Sequence, residues 1–352
     1  MAKVLMKGNQ ALAEACLRAG CRFFSGYPIT PQTEILEYLC WRMDEVGGVC
    51  VQTESELAGV NMLFGAAAAG ARALTTTAGP GFSLKQEGIS YLCSSDLPAV
   101  IVDVQRIGCG LGDIFMGQGD YWQLTRGGGH GDYHPLVLAP ASVQESVELA
   151  SEAFDLAEKY RHPVIMATDA TIGQMMEPVE LPEMREHDMD KFDWAVRPRC
   201  EGEEQRAIWN RYWDWEDGGR KYPEYVLNKY TEMEENEQHW ENFYTDDADI
   251  VIVAYGTSSR IAKSAVLRAR KEGIKVGLLR PITLWPYPKN AFDQLPHVKA
   301  FLDAEMNILG QMKDDIILAD KNRRPVEFFG SYWDPINEFE LAAKAREMAE
   351  RY

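Results

Sequence analysis

The run AVIVDVQ at residues 99–105 constrains the fold of this chain more than any other segment. It is apolar on both faces of an extended strand, which is typical of an interior strand in a parallel sheet covered by helices on both sides. Strand-like and helix-like patterns alternate around it through residue 185. This alternation predicts an α/β domain over residues 1–185, built on a doubly wound parallel sheet.

Capping and turn signals place the individual elements. The helix at about 9–19 ends at Gly20, and Pro31 is predicted to open a helix that continues to about residue 43. GPGF at 79–82 is typical of a turn between a strand and a helix. Further strands are predicted at 21–24, 49–52 and 73–77, and further helices at 56–70 and 83–93.

Residues 186–247 differ in character, because they are highly charged and rich in tryptophan. Five of the chain's nine tryptophans occur there: Trp194, Trp209, Trp213, Trp215 and Trp240. Since disordered linkers are poor in aromatics, this connecting segment is expected to pack, either on the chain's own domains or on a partner subunit. From residue 248 to 352 strand and helix patterns resume and predict a second compact α/β domain.

Composition excludes several classes of function. The formal net charge of -18 opposes binding to a phosphate backbone, so a nucleic-acid partner is not expected. No apolar run approaches the roughly 20 residues needed to span a bilayer. The N-terminus MAKVLMKGNQ lacks the apolar stretch of a secretion signal, so we expect a cytoplasmic protein.

The seven cysteines match no iron–sulfur or zinc spacing, and none forms a Cys-x-x-Cys pair. Their even spread is typical of reduced, mostly buried thiols. We therefore expect no cluster in this chain. The glycine-rich segment 106–135 contains His130, Asp132 and His134, but a glycine loop positions metal ligands poorly, so a substrate-side or subunit-contact role is favoured over a metal site.

Glu56 is the first candidate catalytic residue. It opens a helix of small residues in QTESELAGVNMLFGAAAAG, at 52–70. A carboxyl group in a dry pocket makes strong hydrogen bonds, and burial tunes its pKa for proton transfer. The simpler interpretation is a glutamate that interacts with the helix macrodipole, and Glu54 is an alternative candidate.

Thr30 and Arg106 are two further candidates. Thr30 lies in YPITP at 27–31, where two prolines fix the backbone; it could equally cap the helix that follows. Arg106 follows the strand 99–105, and open α/β sheets bind ligands beyond the carboxyl ends of their strands. A guanidinium there can hold a carboxylate in bidentate fashion, although a surface ion pair is the alternative.

Several motifs occur in a fixed order along the chain: GYPITP (26–31), QTESE with Glu56, TTTAGPGFSLKQEG (75–88), Arg106, LRPITLWPYP (279–288) and AEMNILGQM (304–312). Together they resemble the alpha subunit of 2-oxoacid:ferredoxin oxidoreductases, closest to the branched-chain (2-oxoisovalerate) type. The resemblance implies a thiamine-pyrimidine-binding domain followed by a transketolase C-terminal-like domain.

The resemblance also implies roles for single residues. Glu56 would bind N1′ of the thiamine diphosphate pyrimidine, Thr30 would lie near the substrate, and Arg106 would hold the 2-oxoacid carboxylate. The cofactor pocket would consist of Glu56, Tyr27, Pro28, Thr30, Thr77 and Gly79, with Thr76 and Gly81 in the same turn. Glu305, Asn307 and Gln311 are expected at an interface or a cap rather than in catalysis.

Partners are implied as well. A beta subunit would carry the diphosphate and Mg²⁺ in a Gly-Asp-Gly segment, which this sequence lacks. Gamma and iron–sulfur subunits would pass electrons to ferredoxin while the acyl group passes to coenzyme A. A 2-oxoglutarate enzyme remains open, with Arg72 or Arg126 as candidates for the second carboxylate, and so does a non-catalytic assembly subunit. A dinucleotide-binding oxidoreductase is disfavoured because Gly-x-Gly-x-x-Gly does not follow the first strand.

Overall fold

The computed structural model describes residues 3–198, 206–213 and 219–352. The strands are β1 (Val4–Lys7), β2 (Phe23–Gly26), β3 (Val49–Gln52), β4 (Ala73–Thr77), β5 (Ala99–Gln105), β6 (Leu136–Leu138), β7 (Pro163–Asp169), β8 (Met176–Val179), β9 (Trp240–Phe243), β10 (Ile250–Val253), β11 (Val276–Pro281), β12 (Thr283–Trp285), β13 (Ala300–Glu305) and β14 (Val326–Gly330). The helices are α1 (Gly8–Arg18), α2 (Thr33–Arg42), α3 (Glu56–Ala68), α4 (Pro80–Ser94), α5 (Tyr121–Thr125), α6 (Val143–Tyr160), α7 (Ala170–Gln174), α8 (Tyr222–Asn236), α9 (Gly256–Lys271), α10 (Lys289–Asp293), α11 (Lys313–Ala319) and α12 (Glu338–Arg351).

The larger sheet has seven strands within the described residues, in the order β12-β6-β7-β5-β4-β2-β3. All its pairs are parallel except that of β12 with β6. Every residue of β5 is buried, as the apolar pattern of 99–105 predicts. Helices α1, α2 and α6 pack on one face, and α3, α4 and parts of the second domain pack on the other. The predicted doubly wound α/β fold is confirmed.

A second sheet, of five strands, has the order β14-β13-β10-β11-β9 in the described part of the chain, and only β9 runs antiparallel to its neighbour; β1 and β8 form a separate antiparallel pair. Strand β9 comes from the connecting segment predicted at 186–247, whereas β12, from the predicted second domain, adds to the edge of the larger sheet. Strand β12 of the predicted second domain therefore belongs to the sheet of the first domain. The domain boundaries at 185 and 248 stay predictions.

The tryptophans of the connecting segment have different environments. Trp194 packs against the core, with the Arg161 guanidinium 4.4 Å from its ring centre. Trp209 and Trp213 are 63% and 74% exposed, which leaves them available to a partner. Trp215 lies outside the described residues.

Three local expectations differ from the structure. Helix α2 begins at Thr33 rather than at Pro31, and α4 begins at Pro80, so Gly81 belongs to the helix and not to a turn. Cys40 and Cys50 form a disulfide between α2 and β3, so the expectation of reduced thiols is wrong for this pair. The spacing of ten residues gave no signal, because the bond depends on how α2 folds back on β3.

The described residues contain no helix that is both long and apolar enough to cross a membrane.

Candidate functional site

The candidate site lies at the carboxyl edge of the larger sheet. Tyr27 follows β2, Glu56 follows β3, Thr77 ends β4, and Arg106 follows β5. Because these strands are parallel neighbours, their carboxyl ends meet at one edge. The fold thus brings together residues that are up to about eighty positions apart in the sequence.

Glu56 is the first residue of α3, and its side chain is buried, whereas Glu54 is exposed. The hydroxyl of Ser55 accepts a hydrogen bond from the Ala58 N–H and fixes the start of the helix. Within the described residues the Glu56 carboxylate makes no hydrogen bond. Its oxygens are therefore available to a ligand.

Gly81 makes the room that Glu56 occupies. A methyl group added at Gly81 would lie 2.5 Å from Glu56 Oε1 and 2.2 Å from Thr77 Oγ1. No larger residue fits without displacing one of those side chains. The Thr77 hydroxyl is buried and has no hydrogen-bond partner among the described residues, so it too is available to a bound molecule.

Lys85 lies beneath Glu56, and sequence reasoning missed it. Its side chain is fully buried, and Nζ donates to Thr75 Oγ1 at 3.0 Å and to the Glu56 carbonyl oxygen at 3.2 Å. Burial lowers the pKa of Lys85 to about 7, while the negative charge of Glu56 acts in the opposite direction. The sequence did contain a signal for Lys85: it is a lysine on the mainly apolar face of α4 that packs on the sheet.

Thr30 lies on an exposed turn before α2, and it does not cap that helix, because the residue at the N-cap is Gln32. Gln32 holds the turn in place: its amide donates to the Tyr27 carbonyl at 2.9 Å and accepts from the Thr76 hydroxyl at 2.6 Å. Sequence reasoning did not select Gln32. Its buried amide ties the YPITP turn to the end of β4.

Arg106 is buried, and it forms no ion pair within the described residues. Its Nη1 donates to the Thr30 carbonyl at 2.8 Å, and its Nη2 donates to the Leu111 carbonyl at 2.6 Å. Nε is buried without a partner in the described part of the chain. The surface ion pair considered from the sequence is therefore not what the structure shows. A buried guanidinium bound to two neutral carbonyls retains its full charge for an anionic ligand.

Gly79 adjoins Arg106, since a methyl group on Gly79 would lie 3.5 Å from Arg106 Cγ. Its φ of 41° is in the left-handed region that favours glycine. Pro28 is partly buried and Tyr27 is 37% exposed, so both line the open side of the site. Two buried carboxyl groups, Asp103 and Asp120, lie behind Arg106 and were not selected from the sequence.

The remaining candidates lie in other surroundings. The His134 ring stacks on Trp285 at 5.0 Å, and its Nδ1 is 2.9 Å from the Thr125 carbonyl, while His130 and Asp132 are exposed. No group of three potential metal ligands occurs among the described residues.

The two arginines considered for a second substrate carboxylate are both paired. Arg72 binds Asp155 and Glu158 just before β4 begins, which is the sheet edge opposite to the site. Arg126 binds Asp315.

The segment 304–312 holds the second domain against the loop that follows Arg106. Asn307 Nδ2 donates to the Gln118 carbonyl at 3.0 Å, and Gln311 Nε2 donates to the Gly119 carbonyl at 2.8 Å. The Glu305 carboxylate accepts from the Asn307 amide at 2.9 Å and orients it. These contacts agree with the interface role expected from the sequence.

Comparison with known families assigns most of the chain. Residues 14–242 match the family model described as pyruvate flavodoxin/ferredoxin oxidoreductase, thiamine diphosphate-binding, and residues 248–332 match pyruvate:ferredoxin oxidoreductase core domain II. The chain belongs to the 2-oxoacid:ferredoxin oxidoreductase family. It is an oxidoreductase subunit, and every candidate residue of the site lies within the thiamine diphosphate-binding region.

Relatives in this family extend over the full chain. The ketoisovalerate oxidoreductase subunit VorB of Methanothermobacter thermautotrophicus is 47% identical and covers 99% of both chains. The 2-oxoglutarate synthase subunit KorA of Methanocaldococcus jannaschii is 36% identical over 90% of this chain and 94% of its own.

A solved structure of a related protein has the same fold as this chain. The 2-oxoglutarate:ferredoxin oxidoreductase of Magnetococcus marinus, solved with 2-oxoglutarate, coenzyme A and succinyl-CoA bound, is 25% identical with a TM-score of 0.84. The match covers 99% of the present chain and 65% of the longer M. marinus chain.

The residues of the site fit a thiamine pyrimidine. Two glycines keep the start of α4 free of side chains, and in the described part of the chain neither the Thr77 hydroxyl nor the Glu56 carboxylate beside them makes a hydrogen bond. A flat ring with a basic nitrogen and an amino group requires such a narrow slot with a buried acid.

Proposed function

We propose that this chain is the alpha subunit of a branched-chain 2-oxoacid:ferredoxin oxidoreductase, which converts a 2-oxoacid such as 2-oxoisovalerate and coenzyme A to acyl-CoA and CO₂. Glu56 carries the proposal: it is buried at the carboxyl edge of the larger sheet, and its carboxylate makes no hydrogen bond within the described residues. The identity of 47% to the VorB subunit, against 36% to the KorA subunit, supports the branched-chain substrate over 2-oxoglutarate.

Thiamine diphosphate, when bound, supplies the electron sink that allows a 2-oxoacid to lose CO₂. Glu56 would hold a proton at N1′ of the pyrimidine, and the backbone at Gly79 and the hydroxyl of Thr77 would bind the same ring. Helix α3 fixes the carboxylate through the Ser55 cap, while Lys85 binds the Glu56 carbonyl from below. The acid is therefore positioned before any ligand arrives.

The substrate would be oriented by Arg106 and Thr30. The guanidinium retains a full charge for the 2-oxoacid carboxylate because its present partners are neutral carbonyls. The exposed Thr30 side chain would contact the substrate from the turn that Arg106 itself holds.

The site would be completed by a beta subunit that binds the diphosphate and Mg²⁺. Gly-Asp-Gly is missing from this sequence. Beside Glu56, the surface of α3 and α4 exposes large apolar side chains, which supports a subunit interface there. These side chains are Leu57, Met62, Leu84 and Tyr91.

Electrons would leave through iron–sulfur clusters in other subunits, with a gamma subunit completing the assembly and ferredoxin as the acceptor. Of the described cysteines, Cys16, Cys21 and Cys93 are buried, Cys109 is exposed, and Cys40 is bonded to Cys50. Burial raises the pKa of Cys16 and Cys93, which opposes the thiolate form that a cluster ligand needs. We expect the assembly to reside in the cytoplasm.

Co-expression with its partner subunits tests the proposal. The purified complex is expected to contain thiamine and iron and to reduce ferredoxin with 2-oxoisovalerate and coenzyme A faster than with 2-oxoglutarate. The reverse preference would replace the branched-chain assignment with the 2-oxoglutarate one. Full activity of a complex with Glu56→Gln would make the chain an assembly subunit.

A further inference from the structure

Two buried carboxyl groups lie behind Arg106 and interact with each other. A methyl group added at Gly79 would lie 3.5 Å from Arg106 Cγ and 3.9 Å from Asp120 Oδ2, which places Asp120 beside Arg106. Asp103 lies in the interior of β5, and Asp120 immediately precedes α5. Both oxygens of Asp103 and Oδ2 of Asp120 are buried without a hydrogen-bond donor among the described residues. Oδ1 of Asp120 accepts from the Gln123 amide, and the Gly79 N–H faces Asp103 without completing a hydrogen bond.

Such an arrangement is unfavourable if both groups are ionised, because like charges in contact repel strongly away from water. Burial and the neighbouring Asp120 raise the pKa of Asp103 well above its ordinary range. Burial also raises the pKa of Asp120, to about 6, although Gln123 and Arg106 act against this rise. One proton between the two groups turns a carboxylate into a donor and satisfies two of the three unpartnered oxygens.

The charged and titratable groups around the pair come from two elements. Arg106 follows β5 and faces both carboxyl groups, and Tyr255 faces Asp120 from the start of α9. The Tyr255 hydroxyl is fully buried, and burial keeps it protonated by raising its pKa. Since Arg106 forms no ion pair in the described part of the chain, the two carboxyl groups act on the guanidinium electrostatically rather than as direct partners.

We propose that Asp103 and Asp120 share one proton and that this shared proton sets the strength with which Arg106 binds the substrate carboxylate. With the proton present, the pair carries one negative charge, which holds Arg106 without cancelling its attraction for an anion. Loss of the proton adds a second negative charge and weakens substrate binding. The two aspartates act through Arg106 as positioning residues, and the inference rests on the proposed role of Arg106.

Two substitutions at Asp120 separate the shared proton from a structural role. Asp120→Asn keeps a donor toward Asp103 and keeps one negative charge, whereas Asp120→Ala leaves Asp103 buried without a donor, so that Asp103 keeps the proton, becomes neutral and no longer holds Arg106. In the assembled enzyme we expect Asp120→Ala to raise KM for the 2-oxoacid by about tenfold or more, with a smaller change in kcat. Asp120→Asn is expected to recover most of that loss and to flatten the rise of KM at alkaline pH. Equal KM values for the two variants would overturn the proposal.

The second domain offers a matched control, because Asp303 and Glu305 form another buried carboxyl pair. Lys313 and Asp314 are the further charges that face Asp303. Asp303→Ala and Asp303→Asn alter a buried carboxyl pair without altering the neighbours of Arg106. They are expected to change stability and to leave the pH dependence of KM as in the wild type. A KM effect as large as that of Asp120→Ala would contradict a specific action through Arg106.

Infrared spectroscopy of the assembled enzyme observes the proton directly. A protonated-carboxyl band at neutral pH that disappears in Asp120→Asn supports the shared proton, and its absence overturns it. The variant Arg106→Ala distinguishes a failure of the shared-proton proposal from a failure of the proposed role of Arg106. If that variant leaves KM unchanged while the band is present, the proposed role of Arg106 is wrong, and the link from the proton to substrate binding falls with it.

Discussion

The Arg106 guanidinium donates a 2.8 Å hydrogen bond to the carbonyl oxygen of Thr30. This contact joins the end of β5 to the turn after β2, across the edge of the sheet where ligands bind in open α/β folds. Loss of the Arg106 side chain therefore removes a support of the turn that contains Thr30. The candidate substrate clamp is thus one unit made of a buried charge and an exposed turn.

Replacing Arg106 tests the carboxylate clamp. Arg106→Ala is expected to raise KM for the 2-oxoacid, because a bidentate charge-assisted contact is lost, and Arg106→Lys should recover only part of it. We expect kcat/KM to fall by about 10²-fold or more in steady-state assays of the assembled enzyme. Arg126→Ala is the control, since Arg126 pairs with Asp315. An equal loss in the control would contradict the assignment.

Replacing Glu56 tests the cofactor acid. Glu56→Gln keeps the shape of the side chain but removes the acidic proton position, so turnover should fall by about 10²–10⁴-fold. Thiamine binding, measured by titration calorimetry on the assembled complex, should weaken as well. Glu54→Gln is a matched control because Glu54 is exposed two residues away. Turnover of Glu56→Gln within about tenfold of the wild type would refute this role.

Gly81→Ala tests the space beside Glu56. The added methyl group would lie 2.2 Å from Thr77 Oγ1, so one of these groups must move. We expect a loss of about 1–3 kcal/mol in the free energy of unfolding, together with weaker thiamine binding. Gly65→Ala in α3 is the control for stability, because a methyl group there meets nothing within 4 Å. It should stabilise the helix by about 0.5–1 kcal/mol. Equal stability of Gly81→Ala and Gly65→Ala would contradict the tight fit beside Gly81.

Lys85→Met tests the buried cation below Glu56. The pKa of Lys85 falls from 10.5 to about 7 on burial, so between these values the unfolded chain binds more protons than the folded one. Folding stability from this group therefore rises with pH across that window, and the penalty for burying the charge is largest below it. The stability of the wild type relative to Lys85→Met should increase from about pH 7 to about pH 10 in urea unfolding of the purified protein. Lys321 is exposed, so Lys321→Met should leave the pH dependence of the free energy of unfolding unchanged. The prediction is refuted if Lys85→Met also leaves that pH dependence unchanged.

Much of the fold could be predicted from local pattern. The run at 99–105 is an interior strand, the helix at 9–19 ends next to Gly20, and the strands at 49–52 and 73–77 have the predicted bounds. Periodicity reports burial on one or both faces, and these elements depend on little else. The start of α2 was misplaced by two residues, because Gln32 is held by contacts to Tyr27 and Thr76 that only the folded chain brings near.

The sequence by itself determined the kinds of element, the family and the candidate residues Glu56, Thr30 and Arg106, since these follow from short motifs and local periodicity. The tertiary structure alone decided which charges share an environment. It buried Lys85 under Glu56 and set Asp103 against Asp120 beside Arg106, and it exposed Glu54. Neighbouring parallel strands bring distant residues to one sheet edge, and the cost of burying charge depends on that assembly rather than on sequence spacing.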